Sequence, residues 1–285
     1  MNLMQETKFI MDKYGIKANK NLGQNFLINE EIVNGIVEKA EISKNDLVIE
    51  IGPGLGTLTS RLLERAGKVI AVELDKNVLD ILNDRFKLYQ NFELIHQDIL
   101  KTNLKELIQS NFNHEITSCK VVANLPYYIT TPIIMKLLEE KLDLKSITVM
   151  VQKEVAQRLT ATPGEDKNAG SISYGIYYYS DAKIVLNVPR TCFIPSPDVD
   201  SSVINLTLLK QPRVQIEDES FFFRIIQSAF SQKRKTLINS LVNTKIISSK
   251  QEAESILSNI NLDSRIRPEE LSLQDFVNLY TEIKK

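Results

Sequence analysis

The tetrapeptide Asn124-Leu125-Pro126-Tyr127 has the clearest chemical use of any segment in this sequence. It follows a short apolar run, 119–123, which predicts a strand ending where α/β enzymes place their chemistry. The exocyclic amine of adenine is a poor nucleophile, because its lone pair is delocalised into the ring. The amide oxygen of Asn124 and a backbone carbonyl could accept both amine hydrogens, and Tyr127 could stack on the base. The tetrapeptide alone is equally an ordinary turn, so the rest of the sequence must decide.

A glycine-rich loop lies between a predicted strand, 47–51, and a helical pattern that begins at Thr57. Glycine has no Cβ and readily adopts positive φ, so Gly52, Gly54 and Gly56 would let the backbone approach a ligand closely. A dinucleotide fingerprint requires Gly-x-Gly-x-x-Gly, and counting from Gly52 the third glycine position is occupied by Thr57. The spacing therefore departs from NAD binding and fits another nucleotide-like cofactor or a tight structural turn.

Acidic residues follow the next two predicted strands. Glu73 could accept hydrogen bonds from both hydroxyls of a ribose, and Asp98 could accept one from an adenine amine. Either acid could instead cap a helix or lie in a solvated loop. Because the carboxyl ends of parallel strands meet at one edge of a sheet, we expect both acids to lie beside Gly52 and Asn124 in a ligand-binding crevice.

Strands and helices alternate through the first half of the chain. The predicted strands are 47–51, 69–72, 92–96, one centred on 121–122, and 147–151, and the predicted helices are 57–66, 77–86 and 130–139. This rhythm predicts an α/β fold, a Rossmann-like and mostly parallel sheet with helices on both faces. Residues 172–179, 184–188 and 203–209 are predicted as strands of an antiparallel hairpin end.

After Pro212 the pattern becomes helical, at 218–230, 233–242, 249–259 and 268–284. We therefore predict a catalytic domain over 1–210 and a small all-α domain over 211–285. The 285 residues with 43% hydrophobic content are enough for both. No apolar run reaches the length of a membrane helix, and two cysteines do not make a disulfide framework, so we expect a cytoplasmic protein.

The net charge of −1 gives no global attraction for nucleic acid, so an RNA surface would have to be a local basic patch. Two clusters qualify, and either could equally be a solvated helix face. The first comprises Lys8, Lys13, Lys17 and Lys20, and the second comprises Lys233, Arg234 and Lys235, inside a predicted helical stretch.

Several motifs together resemble one family. They are the run 21–27, the loop 49–59, Glu73, Asp98, and the segments 124–128, 152–155, 193–201 and 230–235. Over nearly its whole length the chain resembles the bacterial small-subunit ribosomal RNA adenine N6,N6-dimethyltransferases. The resemblance implies methyl transfer from S-adenosylmethionine to N6 of two adjacent adenosines in a loop near the 3′ end of 16S rRNA, within the small ribosomal subunit, during ribosome biogenesis. We also expect a monomer without a metal site.

The resemblance implies roles for individual residues. Asn25 and Leu27 would enclose the methionine part of the cofactor, above Gly52, while Glu73 would take the ribose and Asp98 the adenine amine. The implied cofactor-binding set is Asn25, Leu27, Gly52, Gly54, Glu73, Leu74, Asp98, Ile99 and Asn124. The implied catalytic residues orient the target amine and sandwich the base; they are Asn124, Leu125, Tyr127 and Phe193. The implied RNA-binding residues are Lys233, Arg234 and Lys235.

The stretch 169–180 departs from the family pattern, so the resemblance carries over no rRNA contact there. Two other functions stay open. One is a large-subunit rRNA adenine N6-methyltransferase of the antibiotic-resistance type, against which the segments 124–128 and 193–201 argue. The other is a non-catalytic ribosome-assembly factor that binds RNA. Glu73, Asp98 and Asn124 disfavour it, because a pure binder has no need of groups suited to a cofactor.

Overall fold

The computed structural model describes residues 2–18, 23–232 and 234–285. The chain forms two compact units. The first contains the chain up to Ala156 together with Ala182–Leu208, and the second contains Gln157–Asp181 and Leu209–Lys285. The switch after Leu208 lies close to the division predicted at 210/211. The prediction placed Gln157–Asp181 in the first domain, whereas in the structure this segment belongs to the second unit.

The described residues form a seven-stranded sheet and a separate two-stranded ladder. The strands are β1 (Phe26–Leu27), β2 (Asp46–Ile51), β3 (Lys68–Glu73), β4 (Phe92–His96), β5 (Ser118–Asn124), β6 (Ser146–Gln152), β7 (Ser180–Val188), β8 (Phe193–Ile194) and β9 (Ser201–Leu208). The large sheet has the order β4-β3-β2-β5-β6-β9-β7, parallel from β4 to β6 and antiparallel between β6 and β9. This is the predicted Rossmann-like, mostly parallel sheet.

The α-helices lie between and after these strands. They are α1 (Leu3–Tyr14), α2 (Glu30–Lys39), α3 (Thr57–Arg65), α4 (Lys76–Phe86), α5 (Leu104–Asn111), α6 (Thr130–Glu139), α7 (Lys153–Leu159), α8 (Ser171–Tyr179), α9 (Glu219–Ala229), α10 (Leu237–Asn243), α11 (Lys250–Asn259) and α12 (Leu273–Ile283). Side-chain caps begin several of them: Asp75 accepts from the backbone N–H of Asn77 at the start of α4. None of the described helices is long and apolar enough to cross a membrane.

Both faces of the central strands β2 and β3 are buried. Val48 and Val69 belong to the hydrophobic cluster that α2, α3 and α4 form on one face. Leu47 and Ile70 point to the opposite face, since successive residues of a strand alternate, and they are equally inaccessible to solvent. Burial on both faces explains why these strands are continuous apolar runs instead of alternating patterns. It also places the polar residues that follow the strands at the edge of the sheet.

The prediction of a strand over 172–179 is wrong, because this segment is helix α8. Its β-branched and aromatic residues favour a strand, but strand propensity yields to packing. Tyr174 and Tyr178, four residues apart and so on one helix face, are both fully buried. The ring of Tyr174 lies 4.9 Å from that of Phe276, and its hydroxyl donates to the carbonyl of Leu271 at 2.6 Å. These contacts all lie within the second unit.

The helix predicted over 233–242 begins later than expected. Helix α10 starts at Leu237, with Thr236 as its N-cap. The exposed residues Arg234 and Lys235 therefore lie in the turn between α9 and α10, not inside a helix. Lys233 falls outside the described residues.

Gly56 gives a test of how the glycine loop packs. Its φ is +81°, and a Cβ at this position would meet the ring of Phe86 at 2.5 Å. We expect Gly56→Ala to lower the free energy of unfolding by roughly 2–4 kcal/mol, since left-handed strain and overpacking add. Gly52→Ala is the matched control: φ is +65° with nothing within 4 Å, so only the backbone strain of about 1–2 kcal/mol applies. Urea denaturation measures both, and equal losses would contradict the packing role of Gly56.

Candidate active site

One cavity in the first unit lies at the carboxyl edge of the parallel sheet. It is lined by residues 23–27, 50–55, 57–58, 72–74, 97–99, 124–129 and Ile133. Every residue of the predicted cofactor-binding set lines this cavity, and so do Leu125 and Tyr127 of the predicted catalytic set. The strand register explains this, because Ile51 at the end of β2 pairs with Val72 on one side and with Ala123 on the other. The roles of these residues remain predictions.

The glycine loop after β2 leaves room for a ligand. Gly52 has φ +65°, and the position that a Cβ would occupy has no atom within 4 Å. The open space at Gly52 is what a bound molecule resting on the backbone requires. Gly54, with φ +56°, is approached by the ring of Phe26 at 3.4 Å from the position of its absent Cβ.

Glu73, at the end of β3, accepts three backbone hydrogen bonds. Its Oε1 accepts from the N–H groups of Leu74 and Asp75, both at 2.8 Å, and its Oε2 accepts from the N–H of Gly54 at 3.2 Å. Burial raises the pKa of Glu73, and the three bonds oppose that rise. A carboxylate has about four acceptor sites, so one remains for a ligand hydroxyl. A ribose diol that took both sites of Oε2 would displace the Gly54 bond, the longest of the three.

Asp98 serves as a helix cap and still has acceptor capacity. Its Oδ1 accepts from the N–H of Leu100 at 2.9 Å, at the start of the short 3-10 helix Ile99–Lys101. Within the described chain no hydrogen bond is formed by its Oδ2, so this half-buried oxygen could accept from an adenine amine. Leu74, 51% exposed, and the buried Ile99 also line the cavity and offer apolar surface beside the two acids.

Asn124 is held by the chain segment that crosses the cavity. Its Nδ2 donates to the backbone carbonyl of Asn25 at 3.3 Å, which fixes the amide plane. The other side-chain atom, Oδ1, accepts no bond from any described residue, and neither does the carbonyl of Leu125. Two acceptors on adjacent residues are thus free in one cavity. This is the acceptor pair that an exocyclic amine with two hydrogens needs.

Residues 23–27, which we call the strap, form one wall of the cavity. Gln24 donates through Nε2 to Asp75 at 2.8 Å, and Asn25 donates through Nδ2 to the carbonyl of Gly23 at 3.2 Å. Strand β1 within the strap pairs antiparallel with β8. The strap is therefore hydrogen-bonded to the loop after β3, to the end of β5 through Asn124, and to β8. The preceding motif residues 21–22, and Lys20, fall outside the described residues.

The two aromatic residues predicted to sandwich a base have different surroundings. Tyr127 lines the cavity, and its hydroxyl lies 2.8 Å from the hydroxyl of Ser201. Burial raises the pKa of Tyr127, so this hydroxyl stays neutral. Phe193 pairs with Leu27 in the β1–β8 ladder but is only 3% exposed and does not line the cavity. It could stack on a base only after a change in its packing.

Glu50 lies inside the strand predicted over 47–51 and was not predicted to have a functional role. Its side chain is 1% exposed in β2, it lines the cavity, and its Oε2 has no hydrogen-bond partner among the described residues. Burial raises its pKa to about 8, the charge of Glu73 adds to the rise, and the neighbouring Thr59 hydroxyl opposes it. A buried carboxyl without a partner fits a cationic ligand group. A glutamate inside an apolar strand is the signal that could have identified it.

The predicted basic clusters are only partly described. In the second unit Arg234 and Lys235 are exposed. In the first, Lys8 and Lys17 are exposed, while Lys13 pairs with Asp84 at 3.5 Å. No group of three or more His, Cys, Asp or Glu side chains that could hold a metal occurs in the part of the chain that the structure describes.

Comparison with known proteins identifies relatives over nearly the whole chain. A family model described as ribosomal RNA adenine dimethylase matches residues 15–285. Curated relatives named ribosomal RNA small subunit methyltransferase A include one from Geobacillus sp. (strain WCH70), 48% identical over 275 residues, which cover 96% of this chain and 94% of the relative. Another, from Clostridium botulinum (strain Okra / Type B1), is 49% identical over 273 residues, 96% of each chain.

Solved structures share the fold. A dimethyladenosine transferase from Plasmodium falciparum superimposes with a TM-score of 0.73 at 27% identity, covering 91% of this chain and 97% of that one. The 23S rRNA methyltransferase ErmE gives a TM-score of 0.66 at 21% identity, covering 92% and 100%. At that identity ErmE shows the fold alone.

The buried carboxyl of Glu50 makes the stability of the ligand-free protein depend on pH. Its folded pKa of about 8 exceeds its ordinary value of 4.5, so its contribution to stability is full below pH 4.5 and is lost as pH rises toward 8. We expect Glu50→Gln to abolish this decline, a difference of roughly 3–5 kcal/mol by pH 9. Urea denaturation of both proteins from pH 5 to 9 measures it. Parallel pH profiles would contradict the buried, unpartnered state of Glu50.

Proposed function

Because the chain belongs to the ribosomal RNA adenine dimethylase family, we propose that it methylates N6 of two adjacent adenosines in the 3′-terminal hairpin loop of 16S rRNA, giving N6,N6-dimethyladenosines in the small ribosomal subunit. The names of the relatives at 48% and 49% identity support the small subunit as substrate. The observation that carries the chemistry is the amide of Asn124, whose Nδ2 is bound to Asn25 while its Oδ1 and the Leu125 carbonyl stay free. A role in ribosome biogenesis, in the cytoplasm, follows from this substrate.

The cavity fits S-adenosylmethionine as methyl donor. When bound, it supplies an electrophilic methyl group on a cationic sulfur. Glu73 and Asp98 would accept from the ribose and the adenine amine, and the open space at Gly52 admits a ligand against the backbone. Asn25 and Leu27 of the strap would enclose the methionine end. The unpartnered Glu50 carboxyl would take a cationic group of that end, directly or through water.

The proposed mechanism is positioning of the target amine. Asn124 Oδ1 and the Leu125 carbonyl accept the two N–H groups, which holds the nitrogen in place and draws electron density toward it. The fixed amide needs no reorganisation at the moment of reaction. The nitrogen becomes cationic and strongly acidic after attack, so water can take its proton and no ionised base is required. Each adenosine would react twice, with one N–H fewer in the second round.

Tyr127 is proposed to stack on the extruded adenine. Its ring lines the cavity, and the bond between its hydroxyl and Ser201 fixes its orientation. Stacking on an aromatic side chain contributes about 1–3 kcal/mol per base. Phe193, as the second face of the sandwich, is a proposal that requires exposure of a ring now 3% accessible.

RNA would also be held outside the cavity. The exposed Arg234 and Lys235 in the turn before α10 are proposed to contact phosphates, together with Lys233. Each phosphate contact should steepen the dependence of binding on salt. A monomer is proposed as the active form.

The proposed function is tested by incubating the protein with labelled S-adenosylmethionine and, separately, unmodified small and large ribosomal subunits. Mass spectrometry then maps the modified nucleosides. Dimethyladenosine at two adjacent positions of 16S rRNA is expected. Label in the large subunit would instead indicate a large-subunit rRNA adenine N6-methyltransferase of the antibiotic-resistance type. RNA binding without any methyl transfer would indicate a non-catalytic ribosome-assembly factor.

Asn124→Ala tests the positioning mechanism. Removing the acceptor oxygen should lower the rate of methyl transfer at least about 100-fold, as loss of a preorganised polar group does in other enzymes. Binding to the small subunit should not change, because the basic turn and the rest of the cavity are intact. Single-turnover kinetics measure the first quantity and filter binding the second. Transfer at the wild-type rate would rule out the proposed mechanism.

Glu73→Gln tests the proposed ribose contact. The amide keeps one acceptor but loses the charge, so S-adenosylhomocysteine should bind roughly 10- to 100-fold more weakly by calorimetry. Glu93→Gln is the matched control, because Glu93 lies on the adjacent strand β4, pairs with Lys68 at 2.6 Å and does not line the cavity. An equal affinity for Glu73→Gln and the control would remove Glu73 from the binding site.

A further inference from the structure

Tyr128 is a large aromatic residue exposed at the rim of the cavity. Its side chain is 59% exposed, yet it lines the same cavity as Asn124. No hydrogen bond to its hydroxyl is formed by any described residue. Its ring carbon Cδ1 lies 3.5 Å from the position that a Cβ on Gly23 would occupy, so the ring lies beside the strap. Tyr128 is thus next to the strap and still accessible at the rim.

The neighbouring Tyr127 lines the same cavity but differs in exposure and in hydrogen bonding. Tyr127 is half-buried, and its hydroxyl is bound to Ser201 at 2.8 Å. Consecutive Cα atoms are about 3.8 Å apart, so two adjacent aromatic residues can contact two consecutive bases of one strand. Tyr127 can therefore contact a base inside the cavity, and Tyr128 can contact a base that stays outside it.

A nucleotide beside an extruded base needs such a surface. Extrusion of the target adenine unstacks it from its neighbour at a cost of a few kcal/mol. An exposed aromatic ring at the entrance restores about 1–3 kcal/mol of stacking to the neighbour. Because the two targets are adjacent, each adenosine is the neighbour while the other reacts.

We infer that Tyr128 is a substrate-positioning residue that stacks on the nucleotide adjacent to the target adenosine. The inference rests on the proposed function and adds a second base-binding position to it. Tyr128→Ala should lower kcat/KM roughly 5- to 100-fold, mainly through KM, whereas Tyr128→Phe keeps the ring and should stay close to the wild type. Tyr89→Ala is the matched control, because Tyr89 is an exposed tyrosine of the same unit that does not line the cavity.

The test is a double-mutant cycle between enzyme and substrate. Small subunits are prepared in which one of the two adjacent adenosines is replaced by uridine, the base that stacks least, so that a single target remains with a poor neighbour. Rates on these and on unaltered subunits are measured for the wild type, Tyr128→Ala and Tyr89→Ala. If Tyr128 stacks on the neighbour, uridine should slow the wild type and Tyr89→Ala but have little further effect on Tyr128→Ala.

Additive effects of the uridine and of Tyr128→Ala would overturn the inference, since the two groups would then not interact. A parallel fall in the affinity of Tyr128→Ala for S-adenosylhomocysteine would also overturn it, because the loss would then belong to the cofactor. An inactive wild type on unaltered small subunits would overturn the proposed function itself. If the wild type methylates the small subunit but the effects of uridine and of Tyr128→Ala are additive, only the proposed role of Tyr128 is excluded.

Discussion

The buried carboxylate of Glu73 joins two of the loops that line the cavity. It accepts from Gly54 in the loop after β2 and from Leu74 and Asp75 in the loop after β3. Without it, three backbone N–H groups at the edge of the cavity would lose their partner. The neighbouring Glu50 is buried as well, and burial raises the pKa of both acids. Two desolvated carboxyl groups in one cavity favour a ligand that brings hydroxyl donors and positive charge, and S-adenosylmethionine has both.

The strap connects the loop that follows Glu73 to the amide of Asn124. Gln24 is bonded to Asp75, beside Glu73, and the carbonyl of Asn25 accepts from Asn124. The residues that would enclose the methyl donor therefore belong to the same hydrogen-bond network as the residue that would orient the acceptor. The position of the strap and the orientation of the Asn124 amide are therefore linked by hydrogen bonds. Such linkage fits a reaction in which the enzyme contributes position and electrostatics, not a covalent step.

The sequence alone was enough to predict most of the polar residues that line this cavity, for a topological reason. Glu73 and Asn124 end parallel strands and Asp98 follows one, and strand ends meet at one edge whatever the details of packing. The segment around Tyr174 was misread because its aromatic residues suit a strand, and only contacts from distant helices select the α-helix. The burial of Phe193 depends on pairing with Leu27, more than 160 residues earlier, which no local pattern records. Glu50 was overlooked because its distinguishing property is a buried oxygen without a hydrogen-bond partner, which only the folded structure reveals.

A crystal structure with S-adenosylhomocysteine tests most directly how the cavity binds the methyl donor. The predicted result has the ribose hydroxyls on Glu73, the adenine amine on Asp98, and the sulfur end between the strap and Asn124. Asn124 should still donate to the carbonyl of Asn25, with its Oδ1 facing the entrance. A ligand bound elsewhere, or one whose sulfur lies far from Asn124, would contradict the link between the cofactor site and the target amine.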